Sequence, residues 1–325
     1  MEGPASSESL GTLDAASWMR SGQRDMPRPQ LPMHPAPRRL AKTRFLAAIG
    51  AAVVFLACAG SSFGADRLRF AVVADPQLGM VELERDTQNF ASVAAAISAL
   101  PEATRPRFVL VAGDLLNTAG DHEQLRRFQE VKARFTVPVW VVPGNHDLTA
   151  DGRKLVPDLV DAYRRDVAPD RFVRTEGGCV FIGLNSQLWT LETTAREQLA
   201  WLESQLRSAG KRPIFVLQHH PLYVESVDER DVYENTPSPW RARVLALLER
   251  RRVRAILTGH LHRNRSSRWR SLSFLTTPSP CKNFDGSAFG YRLISVDADG
   301  SFSESYRGVP GTLPEPEKAP APPRP

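Results

Sequence analysis

The stretch Val137-Pro138-Val139-Trp140-Val141-Val142-Pro143-Gly144-Asn145-His146-Asp147 joins an apolar run to a polar turn. The apolar half predicts a buried strand, and Pro143-Gly144 predicts a sharp bend where that strand ends. Asn, His and Asp in such a bend have two interpretations. They are common turn-forming residues, and they are also metal ligands and proton-transfer groups. Only the rest of the sequence distinguishes the two.

Four further polar clusters follow apolar runs elsewhere in the chain. They are Asp75-Pro76-Gln77, Gly113-Asp114-Leu115-Leu116-Asn117, His219-His220-Pro221 and Gly259-His260-Leu261-His262. The carboxyl ends of strands are the place where open α/β sheets build their sites. A single Asp or His at a strand end is most often a helix cap or a solvated loop residue. Five such clusters in one chain instead indicate a shared metal or catalytic site.

Short β-rich runs alternate with helical patterns from Leu68 onward, which predicts an α/β domain. The turn Asp297-Ala298-Asp299-Gly300 predicts a hairpin between two late strands, which adds antiparallel pairing to the sheet. Strands are predicted at 68–74, 108–112, 137–142, 180–184, 214–217, 255–257, 272–276 and 292–296, and helices near 86–99, 122–134, 154–166, 194–208 and 239–251.

Two of these helices carry signals at their ends. Thr194 with Glu197 forms a capping-box pattern, and Gly210 predicts the end of the same helix. Ser238 and Pro239 predict the N-cap and the first residue of the last helix. Leucines at helical spacing follow both starts, so we expect each helix to pack an apolar stripe against the core.

The composition excludes several classes of protein. Of 325 residues, 42% are hydrophobic and 24% are charged, which is enough to bury a full core and unlike a disordered or fibrous chain. Residues 1–65 hold 7 of the 42 Lys/Arg and 4 of the 36 Asp/Glu, so residues 66–325 hold 35 and 32. Because that part is nearly balanced in charge, no nucleic-acid partner is expected.

The first 65 residues have the layout of a targeting region. Residues 1–44, rich in Pro, Ser and Arg, are predicted to be a disordered or wrongly assigned extension. Residues 45–65 are uncharged and follow a basic run, which is typical of a signal peptide or a membrane anchor. Cleavage near Ala57-Cys58-Ala59, lipidation of Cys58 and an uncleaved anchor are all open alternatives. Each places the protein outside the cytoplasm, periplasmic or secreted, with membrane contact only through this segment.

The remaining chain divides at residue 309. Residues 66–309 are predicted to form the globular domain, and residues 310–325 a Pro-rich disordered tail. Cys179 and Cys281 are the two cysteines of this part. An oxidising compartment permits a disulfide between them without requiring one.

The five clusters, in their order along the chain, resemble the calcineurin-like metallophosphoesterase family. The pattern of that family is D-x-H, G-D-x-x-D/N, G-N-H-D/E, a His two residues before Pro, and G-H-x-H. Gln77 stands where the family usually has His. With this change the chain resembles a subgroup that includes a serine/threonine phosphatase with a single calcineurin-like phosphoesterase domain. The resemblance covers about residues 68–300 and implies a four-layer α/β/β/α sandwich with two mixed β-sheets.

The same resemblance implies two adjacent metal ions, which makes residues 66–309 a metallophosphoesterase domain. His219 is preferred over His220 as a ligand because it lies two residues before Pro221. An amide oxygen in place of an imidazole favours Mn or Fe, with Zn as a further possibility. The implied ligands are Asp75, Gln77 and His262 for the first ion, Asn145, His219 and His260 for the second, and Asp114 as the bridge.

The implied reaction is hydrolysis of a phosphate ester by a hydroxide that bridges the two metals. His146 would protonate the leaving oxygen, and Asp147 would orient His146. A phosphomonoester is the favoured substrate of unknown identity. The alternatives are a phosphodiesterase for nucleotides or lipid head groups, and a metal-binding pseudoenzyme that has lost activity. The oligomeric state is left open.

Two surface features flank these clusters. Arg263, Arg265, Arg268 and Arg270 are interpreted either as a substrate-phosphate site or as a charged strand edge that discourages pairing. The acidic loop, residues 225–234, is expected to cover the site.

Overall fold

The computed structural model describes residues 68–314. The predicted extension, the signal or anchor segment with Cys58, and the tail after residue 314 lie outside the described residues. Between residues 68 and 314, no helix is both long and apolar enough to cross a membrane.

The elements of the described part alternate largely as the sequence predicts. The strands are β1 (Leu68–Val73), β2 (Val109–Ala112), β3 (Val139–Val142), β4 (Phe172–Glu176), β5 (Cys179–Gly183), β6 (Ile214–Leu217), β7 (Ala255–Thr258), β8 (Arg265–Trp269), β9 (Leu272–Thr276), β10 (Gly290–Val296) and β11 (Phe302–Gly308). The helices are α1 (Leu83–Ser98), α2 (His122–Lys132), α3 (Asn145–Leu148), α4 (Pro157–Asp166), α5 (Glu192–Ala209) and α6 (Trp240–Arg250), with a 3₁₀ helix at Ser186–Thr190.

These strands form two mixed sheets. The first has the order β11-β10-β1-β2-β3, in which β1, β2 and β3 are parallel and β10 and β11 pair antiparallel. The second has the order β4-β5-β6-β7-β9-β8, with a parallel centre and antiparallel strands at both edges. The hairpin predicted at residues 297–300 joins β10 to β11.

The alternation of side chains along β1 shows how the layers stack. Phe70 faces the second sheet, where its ring lies 5.0 Å from Phe181 and 5.4 Å from Phe215. Ala71 and Val73 face the other way and pack in the cluster that contains residues of α1 and α2. Helices α5 and α6 pack on the outer face of the second sheet. The predicted four-layer α/β/β/α sandwich with two mixed β-sheets is therefore confirmed.

Several local predictions were wrong. Helix α5 begins at Glu192 rather than Thr194, and the Thr194 hydroxyl donates to the carbonyls of Leu188 and Leu191. Helix α6 begins at Trp240, one residue later than predicted. Strands β4 and β8 were not predicted, because edge strands carry polar side chains on most positions and lack a continuous apolar run.

The globular domain also continues past its predicted end at residue 309. The Leu313 amide donates to the side-chain oxygen of Asn89, and the Leu313 carbonyl accepts from Asn89 and Arg85. Cys179 and Cys281 are both buried free thiols, so the permitted disulfide is absent from the structure.

Candidate metal centre

The five polar clusters come together where the two sheets meet. Strands β1, β2 and β3 of the first sheet and β6 and β7 of the second each end directly before one cluster. All seven predicted ligands are buried, with at most 9% of any residue exposed. The structure thus brings together Asp75, Gln77, Asp114, Asn145, His219, His260 and His262.

The centre of this arrangement is the Nε2 atom of His219. It lies 3.0 Å from Oδ1 of Asn145, 3.2 Å from Nδ1 of His260 and 3.2 Å from Oδ2 of Asp114. All three neighbours are atoms that can donate an electron pair to a metal, Nδ1 of His260 in the tautomer whose hydrogen is on Nε2. Four such atoms converging on one buried point repel one another unless a proton or a cation lies between them.

Backbone carbonyl groups determine which ring nitrogen of His219 and of His262 can bind a metal. Nδ1 of His219 is 2.8 Å from the Ala112 carbonyl, and Nδ1 of His262 is 2.6 Å from the Lys282 carbonyl. A carbonyl only accepts hydrogen bonds, so both Nδ1 atoms carry hydrogen, and Nε2 of each ring is the atom left to take a proton or a metal ion. Burial lowers the pKa of His262 to about 4 and lowers that of His260 well below its usual value. The rings of His260 and His262 are therefore neutral and able to bind a metal.

The ligands predicted for the first ion are Asp75, Gln77 and His262. Oδ1 of Asp75 is 3.6 Å from Nε2 of His262 and 3.7 Å from Nδ1 of His219. The Gln77 amide nitrogen donates to Oδ1 of Asn117 at 3.3 Å. Its carbonyl oxygen is buried without any hydrogen-bond partner. An orphaned buried acceptor costs free energy, so this oxygen is well suited to bind a cation.

The backbone at the site adopts conformations that are rare elsewhere. Among residues 68–314, seven non-glycine residues have positive φ. Five of them are predicted ligands, namely Asp75, Gln77, Asp114, His260 and His262. Such conformations cost roughly 1–2 kcal/mol each and cluster at functional sites.

Two glycines allow these turns to approach one another. A Cβ atom on Gly144 would lie 2.1 Å from Oδ1 of Asp114, and one on Gly259 would lie 2.4 Å from Oδ2 of Asp75. No larger residue fits at either position while the carboxylate keeps its place.

The charges of Asp75, Asp114 and His219 are coupled. Burial raises the pKa of Asp75 to about 8, although the positive charge of His219 opposes this shift. Burial alone would also raise the pKa of Asp114, but the charge and hydrogen bond of His219 outweigh it and lower that pKa. Burial would lower the pKa of His219, yet Asp114 raises it to about 9. A proton on His219 thus compensates the buried carboxylate, and a divalent cation at that point would replace it.

His146 and Asp147 do not interact as predicted. The Asp147 carboxylate accepts hydrogen bonds from the backbone amides of Leu115, Leu116 and Gly144, and so ties the second cluster to the third. Nδ1 of His146 instead lies 2.9 Å from the carbonyl of Asn117. The assignment of Asp147 as the group that orients His146 is corrected: the carbonyl of Asn117 has that position.

Sequence reasoning missed one contact to a ligand. The side-chain nitrogen of Asn145 donates to the Tyr233 hydroxyl at 2.8 Å. Burial raises the pKa of Tyr233 to about 12, so the hydroxyl keeps its proton at neutral pH. The two residues are 88 positions apart and no local pattern links them. The only signal was the position of Tyr233 in the acidic loop, which was expected to cover the site.

A cavity of about 400 Å³ is lined by Tyr233, which contacts both Asn145 and His260. Its wall includes Arg153, Gln187, His220 and Tyr233. Nδ1 of His220 is 2.9 Å from the Ser186 hydroxyl. His219, His220 and His260 nevertheless offer nitrogen atoms within 4.8 Å of one another, so His220 is a further candidate ligand.

The arginines that follow the last cluster lie at the edge of the second sheet. Arg265 and Arg268 are on β8, the terminal strand of that sheet. Arg265 pairs with Glu225 at 2.8 Å and Arg270 with Glu249 at 2.6 Å. This arrangement favours the charged strand edge over a phosphate site.

The donor set fits metal ions. Carboxylate, amide oxygen and neutral imidazole are competent ligands for divalent first-row metals. Asp75, Asp114 and His219 offer ligand atoms within 4.8 Å of one another. The converging lone pairs around His219 and the unpartnered oxygen of Gln77 are both satisfied by cations.

Known proteins share both the sequence and the fold. The chain is 27% identical over 253 residues to the serine/threonine-protein phosphatase CPPED1 of Danio rerio, covering 70% of this chain and 80% of the relative. It is 27% identical over 229 residues to a 3′,5′-cyclic-nucleotide phosphodiesterase of Nostoc sp., covering 66% and 81%. The purple acid phosphatase PPD1 of yellow lupin (Lupinus luteus) superposes with a TM-score of 0.58 at 14% identity, covering 76% of this chain and 52% of that one. At that identity the likeness shows the fold alone.

The profile of the family described as calcineurin-like phosphoesterase matches residues 68–264. This match covers all five polar clusters and more than half of the chain. The protein is accordingly a hydrolase that acts on phosphate esters, and the metallophosphoesterase family uses divalent metal ions. The chain belongs to the calcineurin-like phosphoesterase family.

Proposed function

We propose that the protein is a binuclear metal-dependent phosphomonoesterase. The observation that carries this proposal is the convergence of Asp114, Asn145 and His260 on Nε2 of His219, with Asp75, His262 and the unpartnered Gln77 oxygen beside it. Two ions, Mn or Fe in preference to Zn, would supply the charge that activates water and stabilises the phosphoryl oxygens. Asp114 is the proposed bridge, which is supported by ligand atoms of Asp75, Asp114 and His219 lying within 4.8 Å of one another.

His146 is proposed to be the general acid. Its Nδ1 is held by the Asn117 carbonyl, so that nitrogen carries hydrogen and Nε2 is the atom that exchanges a proton. Its backbone amide donates to Oδ1 of Asp114 at 2.8 Å, which places the residue beside the bridging carboxylate. The residue is only partly buried. A leaving oxygen that enters the site can therefore be protonated by Nε2 as its bond to phosphorus breaks.

The cavity lined by Tyr233 would receive the leaving group. Its volume of about 400 Å³ lies within the range of pockets that bind small molecules. Arg153 at its wall provides a cation, and Tyr233 provides an aromatic face. These groups suit a polar or aromatic alcohol attached to phosphate.

The experiment replaces His146 by alanine, with His122→Ala as the control. His122 is exposed on α2, away from the clusters. We expect H146A to lower kcat by about 10²- to 10⁴-fold on phenyl or alkyl phosphates and much less on p-nitrophenyl phosphate. The reason is that nitrophenolate leaves without protonation. Metal content, counted by elemental analysis, should stay at the wild-type value.

Three outcomes would contradict the assignment. They are full kcat in H146A, an equal loss on good and poor leaving groups, and loss of metal from the variant.

A phosphodiesterase is the second candidate. It is favoured by the similarity to the cyclic-nucleotide phosphodiesterase of Nostoc sp.. Metal-reconstituted protein beginning at residue 66 should be assayed on p-nitrophenyl phosphate and bis-p-nitrophenyl phosphate. Faster hydrolysis of the monoester supports the proposal, and faster hydrolysis of the diester replaces it with the second candidate. No turnover of either ester would favour a metal-binding protein without activity.

A further inference from the structure

Asn145 presents two chemically different atoms on one planar group. Only Oδ1 can bind a metal, because the amide nitrogen has no available lone pair. The two orientations of the amide have nearly the same shape, so packing alone does not choose between them. The groups that face the two ends of the amide therefore determine its orientation.

The structure supplies such a partner on one side. Oδ1 of Asn145 faces Nε2 of His219 at 3.0 Å, and the side-chain nitrogen donates to the Tyr233 hydroxyl at 2.8 Å. Asn145 is fully buried, so water does not compete for either end. In the opposite orientation the NH₂ group, which cannot bind a metal, would point at the converging ligands, and the phenol would donate to Oδ1 instead of accepting from the nitrogen.

The Tyr233 ring has two close neighbours. The guanidinium carbon of Arg153 lies 4.7 Å above its ring centroid, and the His260 ring lies 4.9 Å away. Gly152 has a φ of +75°, and a Cβ there would come within 3.3 Å of the hydroxyl and 3.7 Å of the Asn145 nitrogen. The turn at Gly152 therefore passes close to this hydrogen bond.

The acidic loop that carries Tyr233 is organised by its own side chains. The Glu229 carboxylate accepts from the backbone amides of Val224, Glu225 and Ser226. The Asn235 side chain donates to the same carboxylate and accepts from the amide of Val232. A loop with this many internal hydrogen bonds can hold the phenol at a fixed position.

We propose that Tyr233 is the positioning residue that directs Oδ1 of Asn145 to the second metal site. The role deepens the proposed function and rests on it, because it presumes a metal held by Asn145, His219 and His260. Tyr233 also lines the cavity, so the same side chain touches the leaving group and supports a ligand.

The test measures Mn²⁺ binding to the apoprotein by calorimetry and by the electron paramagnetic resonance of free Mn²⁺. We expect Tyr233→Phe to weaken one of the two binding events by about 10- to 100-fold and to leave the other unchanged. Tyr223→Phe is the matched control, because Tyr223 packs on Phe274 at 4.8 Å and contacts no ligand in the described residues.

A second pair of variants separates orientation from general packing. Asn145→Asp has two oxygens and no orientation to choose. Adding Y233F to N145D should therefore leave Mn²⁺ affinity unchanged or higher, whereas Y233F alone lowers it. Equal losses in both backgrounds would overturn the proposal, as would wild-type affinity in Y233F or an equal weakening of both binding events.

The result for the wild-type protein tests the proposed function separately. If it binds one Mn²⁺ only, the binuclear centre is wrong. A loss of that single ion's affinity in Y233F would still support the role of Tyr233, and no loss would overturn it.

Discussion

Replacing Gly144 by alanine tests how closely the second and third clusters must approach. The new Cβ would lie 2.1 Å from Oδ1 and 2.4 Å from the backbone nitrogen of Asp114, whereas real Cβ atoms keep at least 3.0 Å from other heavy atoms. The carboxylate and the turn must therefore separate by about 0.9 Å, the difference between 3.0 and 2.1 Å. The φ of Gly144 is −103°, so the effect is steric and owes nothing to backbone strain.

This displacement should affect both stability and metal binding. Overpacking of a buried site costs about 1–3 kcal/mol, which lowers the Tm of a domain of this size by about 2–12 °C. Because Asp114 is the proposed bridge, we expect Mn²⁺ binding to weaken by at least about 10- to 100-fold. Thermal unfolding of the apoprotein and calorimetric Mn²⁺ titration measure the two effects.

Gly183→Ala is the matched control. A Cβ there would lie 2.4 Å from the Phe172 ring, a clash of similar severity away from the ligands. G183A should lower Tm and keep the wild-type affinity for Mn²⁺. The reasoning is refuted if G144A keeps wild-type Tm and metal affinity, or if G183A loses metal to the same extent.

Two further predictions concern pH. The pKa values of Asp75 and His219, raised to about 8 and about 9, mean that both hold protons at neutral pH without metal. Mn²⁺ binding near neutral pH should release about one to two protons, and the affinity for Mn²⁺ should rise with pH until about pH 9. Calorimetry in buffers of different ionisation enthalpy measures the proton release. If no protons are released, the prediction is wrong. Burial would raise the pKa of Glu229, but hydrogen bonds from Asn235 and three backbone amides lower it. This carboxylate therefore stabilises the acidic loop above its unfolded pKa of about 4.3, and the contribution is lost as pH falls below that value. Amide exchange in the loop should increase at acid pH in wild type and already be high at neutral pH in Glu229→Gln.

The sequence predicts the strands and the ligands for one physical reason. Buried strands need uninterrupted apolar runs, and five of the eight predicted runs are followed by a cluster of residue types that bind metals, so element and site are visible together. The orientation of His146 was not predictable in this way. Asp147 is its neighbour in sequence, but the carboxylate satisfies the amides of Leu115, Leu116 and Gly144, and the imidazole turns to the Asn117 carbonyl. Such choices depend on contacts 29 to 32 residues apart.

The positive φ angles explain why glycines lie next to predicted ligands in some of these clusters. A strand that ends in an ordinary extended residue sends its next side chain away from the sheet edge. A left-handed residue reverses the chain within one position, as at Asp75, Asp114 and His260, and keeps that side chain over the strand end. The reversal brings neighbouring turns so close that Gly144 and Gly259 have no space for a Cβ. The strained ligands are in turn held by hydrogen bonds between clusters, since the Asp75 carboxylate accepts from the His260 amide and that of Asp114 from the His146 amide. Each carboxylate is therefore both a proposed metal ligand and the acceptor that fixes the turn of another cluster, so its replacement should disturb more than one cluster.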